Sequence, residues 1–221
     1  MTVLIVGDSF GYGSELEDAN EQSSCWPAYD DPRPSDHCFG AQIANMLGQD
    51  WENYSIPGGS NDRTFRIAMS KMISKKYDLA IIIWTNPGRM DMTWQGYDMP
   101  VTYMASKFYA DKFPWFQQLY ENHYDFKKEL EMTFCEMIAM QEYFKNQKQR
   151  YVFLNSTIDR PTIENDISPE AVLALDKENF PGWPYECLID WCAGLPQGPN
   201  GHFLQEGHDL VAKKLYEHLT R

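Results

Sequence analysis

The amino-acid sequence predicts a three-layer α/β/α sandwich built around a mostly parallel central sheet. Three short apolar runs, at residues 2–6, 78–84 and 150–155, have the length and composition of buried strands, and a further strand is expected at residues 51–56. Sequence of helical character follows each run, and this alternation is typical of a parallel sheet covered on both faces. No repeat, low-complexity tract or linker divides the 221 residues, so one domain spanning residues 1–221 is expected.

The first strand ends at Gly7 and is followed directly by Asp8 and Ser9. A serine just past the carboxyl end of a buried strand lies at the rim where open α/β sheets bind ligands. There its hydroxyl can act as a nucleophile, and the N–H groups of the turn can form part of an oxyanion hole. A nucleotide site is the alternative, but the glycine spacing does not fit G-x-G-x-x-G and there is no P-loop.

Residues 14–37 contain seven acidic residues and three prolines, which predicts a long loop leaving from Ser9. Either an acidic solvated loop or a cover over the strand end fits this composition. A helix is expected over residues 36–47, with Phe39, Ile43 and Leu47 on one face and Gly48 as its stop.

Turns also follow the second and third strands. Gly58 either lets the backbone approach a ligand or serves only the turn itself. Ser60 is expected to cap a helix whose buried stripe comprises Phe65, Ala68, Met69, Met72 and Ile73. Asn86 follows the third strand, where it either donates to a developing oxyanion or caps the turn before Pro87.

The segment after the third strand is long and rich in aromatic residues. Nine aromatic side chains lie within residues 90–123, and a long helix is expected over 125–147. We expect a helical insertion at about 90–148 that shapes a substrate pocket or contacts another subunit in a homo-oligomer. Residues 156–200 are loop-rich, with a short helix near 169–177 and an edge element at 188–191. The terminal helix carries a stripe of Val211, Ala212, Leu215 and Leu219.

Charge and cysteine usage exclude several classes of function. The net charge of −13 disfavours nucleic acids and anionic membranes as partners. Five scattered cysteines without a C-x-x-C pair predict reduced thiols and no zinc site. No apolar run approaches membrane-spanning length and no signal peptide precedes the first strand, so a cytoplasmic location is expected.

Four sequence blocks together resemble the SGNH (GDSL-type) hydrolase superfamily. They are Gly7-Asp8-Ser9-Phe10-Gly11-Tyr12-Gly13, Asn53-Tyr54-Ser55-Ile56-Pro57-Gly58, Trp84-Thr85-Asn86-Pro87, and Asn200-Gly201-His202 with Gly207-His208. The resemblance implies Ser9 as nucleophile, His202 as general base, and Ser9 N–H, Gly58 N–H and Asn86 as oxyanion donors. It implies no metal or organic cofactor, and a flavodoxin-like sheet. His208 is the rival base but is expected to pack or cap the terminal helix.

The chain departs from the family pattern at the acid of the triad, where it has Pro199 or Asn200. Asn200 can accept a hydrogen bond from the imidazole but cannot stabilise an imidazolium by charge. Three alternatives remain: a Ser–His dyad, an acid such as Asp190, or weak activity. We therefore expect a serine esterase acting on a small or glycan ester, for example an O-acetyl group. The rival is a catalytically reduced binding or structural module. The compact layout also resembles SGNH proteins of tailed phages.

Overall fold

The computed structural model describes residues 1–19, 33–94, 97–102, 115, 118, 121–122, 124–182 and 186–221. Its strands are β1 (Thr2–Val6), β2 (Asp50–Asn53), β3 (Leu79–Trp84), β4 (Arg89–Trp94), β5 (Tyr97–Thr102) and β6 (Tyr151–Asn155). Its helices are α1 (Ser9–Tyr12), α2 (Phe39–Met46), α3 (Asn61–Ser74), α4 (Phe126–Gln147), α5 (Arg160–Asp166), α6 (Pro169–Ala174), α7 (Leu188–Trp191) and α8 (Gln205–Leu219).

The central sheet is parallel, with strand order β2-β1-β3-β6. The chain moves outward from β1 to β2 and then returns to the other side of β1, so the order reverses between β1 and β3. In open α/β sheets, ligands bind in the crevice at such a reversal, beside the carboxyl ends of the strands. Ser9 follows β1 and Asn86 follows β3, so the two residues flank this crevice.

Helices cover both faces of the sheet, which confirms the predicted α/β/α layering. Alternate strand residues such as Leu4 and Ile82 pack against α3 and α4. Their neighbours, such as Ile5 and Ile81, pack against α2 and α8. Because successive side chains of a strand point to opposite faces, fully apolar strands are required to supply both cores.

The predicted strands and helices are present, with some shifted bounds. The β2 strand ends at Asn53 instead of residue 56, although the N–H groups of Tyr54 and Ile56 still donate to Ile5 and Gly7. Ser60 caps α3 as predicted, because its hydroxyl accepts the N–H of Arg63 at 3.1 Å. The stripe of α3 was predicted wrongly at one position, since Ile73 is 71% exposed.

The insertion differs from its prediction in its first part. Strands β4 and β5 form an antiparallel hairpin, so this part is not helical. The long helix α4 matches its predicted range and is capped by Asp125. The side chains of residues 92–114, and residues 116–117, 119–120 and 123, lie outside the described part of the chain. The predicted role of the aromatic segment therefore stays a prediction.

Two short elements were predicted in the last third of the chain. Helix α6 lies where a short helix was predicted. The edge element at 188–191 is the helix α7 and does not pair with the sheet. Among the helices that are described, none is long and apolar enough to cross a membrane.

Candidate active site

Ser9 lies at the first position of α1, immediately beyond β1. The side chain of Asp8 caps this short helix, because Asp8 Oδ1 accepts the N–H of Phe10 at 3.0 Å. Gly7 is required here, since a Cβ at this position would lie 2.6 Å from Cβ of Ile83. This close approach of β1 and β3 places Ser9, which is 3% exposed, at the carboxyl edge of the sheet.

His202 lies on a tight turn that packs against α1. Gln197 and Phe203 pair across the turn, and the left-handed conformation of Gly201 (φ 85°) reverses the chain. The imidazole of His202 contacts the ring of Phe10 edge-on, with 5.2 Å between ring centroids. The base is thereby held beside the helix that begins with Ser9. No hydrogen bond joins Ser9 and His202 in the structure, and their direct contact stays a prediction.

The imidazole of His202 has a carboxylate partner that the sequence did not indicate. Nδ1 of His202 lies 2.8 Å from Oε2 of Glu15, a residue of the loop after α1. The Glu15 side chain is 8% exposed and that of His202 is 19% exposed. Because an ionised carboxylate only accepts hydrogen bonds, Nδ1 carries the proton and Nε2 is left as the basic nitrogen. This is the tautomer that a general base requires.

Glu15 is held in its ionised form by several donors. Burial favours a raised pKa for this carboxyl. The hydrogen bonds from the Asn200 N–H, the His202 ring and the His202 N–H outweigh burial and lower the pKa of Glu15 below its usual value. The backbone N–H groups of Asn200 and His202 lie 2.9 and 3.2 Å from its two oxygens. The carboxylate is therefore charged at neutral pH.

The two residues considered at the sequence level as acceptors for His202 have other partners. Nδ2 of Asn200 donates to Oε1 of Glu15 at 3.2 Å, so this side chain binds the carboxylate and not the imidazole. Asp190 caps α7, where its Oδ2 accepts the N–H of Cys187 at 2.9 Å. Asn200 thus acts on His202 through Glu15, and Asp190 belongs to a different structural element.

The three expected oxyanion donors make no hydrogen bond to any residue that the structure describes. They are the N–H groups of Ser9 and Gly58 and the Nδ2 of Asn86. The Asn86 side chain is oriented by its other end, because its Oδ1 accepts the N–H of Gly88 at 2.7 Å. Gly58 has φ 75°, a conformation that favours glycine. Donors without protein partners are available to a substrate oxygen.

Buried polar side chains fix the turn that carries Asn86. Asn61, at the start of α3, accepts the N–H of Thr85 and donates to the Thr85 carbonyl, both at 2.8 Å. Thr157, beyond β6, accepts the N–H of Asn86 at 2.9 Å. Because α3 and the β6 loop both hold this turn, the position of Asn86 is set by the fold.

A buried ion pair joins the same edge of the sheet. The fully buried Asp8 accepts hydrogen bonds from Arg89 at 3.1 Å and from the hydroxyl of Ser156 at 2.8 Å. The pair ties together the residues that follow β1, β3 and β6. Sequence reasoning did not single out Arg89, Ser156 or Glu15, since none lies at a recognisable motif spacing.

His208 is structural, but it caps α2 instead of the terminal helix on which it lies. It is 1% exposed, and its Nδ1 accepts the N–H of Phe39 at 3.1 Å, which caps the start of α2. Burial lowers the pKa of His208 to about 3, so the ring is neutral. Of the other histidines, His37 is exposed, His218 is half-buried, and His123 lies outside the described residues. The described part of the chain has no group of three side chains suited to hold a metal ion.

Comparison with known proteins finds similarity at the level of the fold. Neither a profile of a known protein family nor a curated relative matches the chain. An acetylxylan esterase from Geobacillus stearothermophilus superposes with a TM-score of 0.53 at 11% identity, covering 99% of this chain and 93% of that chain. A carbohydrate esterase gives a TM-score of 0.56 at 12% identity, with 100% and 68% covered.

A protein assigned to the G-D-S-L lipolytic family, from Desulfitobacterium hafniense, covers 98% of both chains at 14% identity with a TM-score of 0.48. The fold of this chain is similar to the folds of the acetylxylan esterase and the carbohydrate esterase, which agrees with the predicted α/β/α architecture. None of these structures supports the resemblance to phage proteins.

Proposed function

We propose that the protein is a serine esterase of the SGNH type that hydrolyses a small or carbohydrate-linked ester through an acyl-enzyme on Ser9. One observation carries this proposal. His202 is oriented by a buried, charged carboxylate at Nδ1 while its ring packs beside the helix that begins with Ser9. A binding module has no need of a histidine in the tautomer that accepts a proton at Nε2.

The reaction follows from the roles of these groups. Nε2 of His202 takes the proton of the Ser9 hydroxyl as the oxygen attacks the ester carbonyl carbon. The resulting oxyanion is stabilised by the N–H groups of Ser9 and Gly58 and by Nδ2 of Asn86, each contributing about 3 kcal/mol. His202 then gives the proton to the leaving alkoxide, which departs as an alcohol. A water molecule, deprotonated by His202, releases the acid from Ser9 by the same steps.

The substrate class is proposed from the structural neighbours and the composition of the insertion. The neighbours named above include an acetylxylan esterase and a carbohydrate esterase, which favours an acetylated sugar as the substrate, with the sugar hydroxyl as the leaving group. The aromatic residues of the segment 90–123 suit a pocket that stacks on sugar rings. Substitution of Trp94 is expected to change KM or substrate preference. If Trp94 variants lose only self-association, the segment is a subunit interface.

The proposal is tested by hydrolysis of p-nitrophenyl esters of increasing acyl length and of acetylated xylo-oligosaccharides. We expect turnover of acetyl esters, a sharp decline with longer chains, and no turnover by Ser9→Ala. The rival hypothesis of a binding module was favoured by Asn200, which stands where the family has an acid. It is favoured if wild type hydrolyses none of these esters yet binds the oligosaccharides with an affinity that Ser9→Ala retains.

A further inference from the structure

We infer that Glu15 is the positioning acid of the Ser9–His202 pair, in place of an aspartate shortly before the histidine. The inference rests on the proposed function and adds to it the source of the missing charge. In this arrangement the nucleophile and the acid lie on one segment, residues 9–15, and only the histidine comes from the far end of the chain. Glu15 acts through His202 and does not touch the substrate.

The contacts of the carboxylate match those required of a triad acid. Oε2 of Glu15 binds the His202 ring at 2.8 Å and the His202 N–H at 3.2 Å. Oε1 binds the N–H and the side-chain amide of Asn200. Both oxygens are therefore engaged with the histidine turn, so the carboxylate fixes the ring orientation as well as its charge. The position that would hold an acid in the family instead supplies donors to this one.

The backbone at Glu15 and the backbone at Gly198 both have features that the position of the carboxylate requires. Glu15 has φ 67°, in the left-handed region that disfavours residues with a Cβ. On the opposite side, a Cβ at Gly198 would lie 2.6 Å from Cδ of Glu15. Residue 198 must therefore be glycine for the carboxylate to sit where it does. A solvated loop glutamate would need neither feature.

The chemical consequence is stabilisation of the imidazolium that forms during catalysis. As His202 takes the proton of Ser9, the ring becomes positive, and the ionised Glu15 offsets this charge without taking a proton itself. The neutral ring of His208 adds no counter-charge, and the ionised Glu15 bonded to Nδ1 supplies one.

The test compares Glu15→Gln with Glu17→Gln, a matched control at an exposed position of the same loop. In Glu15→Gln, kcat for an acetyl ester should fall by roughly 10²- to 10⁴-fold with little change in KM, as when a triad aspartate becomes asparagine. The acidic limb of its kcat/KM profile should move to lower pH, because the protonated imidazole has lost its counter-charge. Glu17→Gln should match wild type. Activity of Glu15→Gln within threefold of wild type, with an unmoved limb, would overturn the inference.

A second variant and a second readout separate the possible failures. Gly198→Ala keeps the charge but displaces the carboxylate, so it should lower kcat in the same direction even if Glu15→Gln folds poorly; unchanged activity in Gly198→Ala contradicts the inference. NMR of the His202 ring gives a readout independent of turnover, because the proton on Nδ1 that binds Oε2 of Glu15 should give a downfield resonance. In Glu15→Gln this resonance should move upfield, and an unmoved resonance refutes the role of Glu15. Wild type inactive on every ester, with a resonance that does move, refutes the proposed function instead.

Discussion

Two histidines six residues apart occupy opposite environments. The side chain of His202 is 19% exposed, and its ring binds a charged carboxylate. The ring of His208 is 1% exposed and accepts the N–H of Phe39. His202 can therefore gain a proton with electrostatic support, whereas burial keeps His208 neutral with a pKa of about 3. Their neighbours along the chain are similar, so it is the contacts across the fold that assign one to chemistry and the other to structure.

The same distinction applies to two asparagines at the sheet edge. Asn61 uses both ends of its amide within the protein, binding Thr85 and Thr133. Asn86 uses only its Oδ1, and its Nδ2 has no partner among the described residues. Polar groups with complete hydrogen bonds hold the fold, because leaving them unpaired inside the protein costs free energy. Groups left without a partner at the crevice are the candidates for contact with a substrate.

The largest expected effect separates the two histidines. His202→Gln should lower kcat by roughly 10⁴-fold or more, because the general base is lost. His208→Leu should leave kcat/KM within a few-fold of wild type but lower the free energy of unfolding by about 1–3 kcal/mol, since the buried N–H of Phe39 loses its acceptor. Ester hydrolysis and urea unfolding of both variants measure this. Equal loss of activity in the two variants would contradict the division of roles.

The asparagine pair gives the next largest effect. Asn86→Asp keeps the oxygen that binds the Gly88 N–H but removes the donor, so kcat should fall by roughly 10²- to 10³-fold with stability maintained. Asn61→Ala should instead lower the unfolding free energy by about 1–3 kcal/mol, because the buried N–H of Thr85 is left unpaired. Steady-state kinetics and thermal unfolding distinguish the two. Retention of full kcat in Asn86→Asp would remove Asn86 from the oxyanion site.

A pH titration of stability sharpens the account of His208. Its pKa is lowered from 6.5 in the unfolded chain to about 3, so the unfolded state binds more protons below pH 6.5. Folding stability from this group is therefore present above pH 6.5 and lost as pH falls, by up to about 1.4 kcal/mol per pH unit. Glu136, whose pKa burial raises to about 7, acts in the opposite direction. The difference between wild type and His208→Leu isolates the histidine.

That difference in unfolding free energy should shrink steadily between pH 6.5 and 4.5, since His208→Leu lacks the titrating ring. Urea unfolding at half-unit intervals of pH provides the measurement. A constant difference across this range would mean that His208 takes up its proton in the folded protein at the same pH as in the unfolded chain.

The smallest effect concerns Asn200. Asn200→Asp would restore the family pattern, in which an acid shortly precedes the histidine. In the structure this change removes a donor to Glu15 and places a second carboxylate beside it. We therefore expect kcat/KM to fall several-fold. A rise in kcat/KM would show that a carboxylate at position 200 can orient His202 better than Glu15 does.

The sequence was sufficient for the α/β/α layers with parallel strands and for the places of Ser9 and Asn86 just beyond two of these strands. Buried parallel strands are continuous apolar runs, which are readable without knowledge of tertiary contacts. Ser9 and Asn86 each follow such a run, and Gly58 follows the more polar second strand, so their common edge was predictable. His202 was found through the resemblance of its block. The resemblance and the strand pattern both depend on local sequence.

Glu15 could not be found in this way. It lies among seven acidic residues of a loop, and its partners are 185 and 187 positions further along the chain. Nothing local separates it from its solvated neighbours such as Glu17. The hairpin β4–β5 was also missed, because a helical insertion was predicted for this segment. For Glu15, contacts distant in sequence decide the outcome, and one sequence does not record them.

The central claim is that Ser9 is a nucleophile activated by His202, and covalent labelling tests it most directly. Wild type, Ser9→Ala and His202→Gln are treated with a fluorophosphonate at neutral pH, and the site of modification is mapped by mass spectrometry of peptides. The account predicts one adduct per wild-type chain, located on Ser9, strongly slowed labelling in His202→Gln and none in Ser9→Ala. An unlabelled wild type, or an adduct of equal yield in Ser9→Ala, would contradict it.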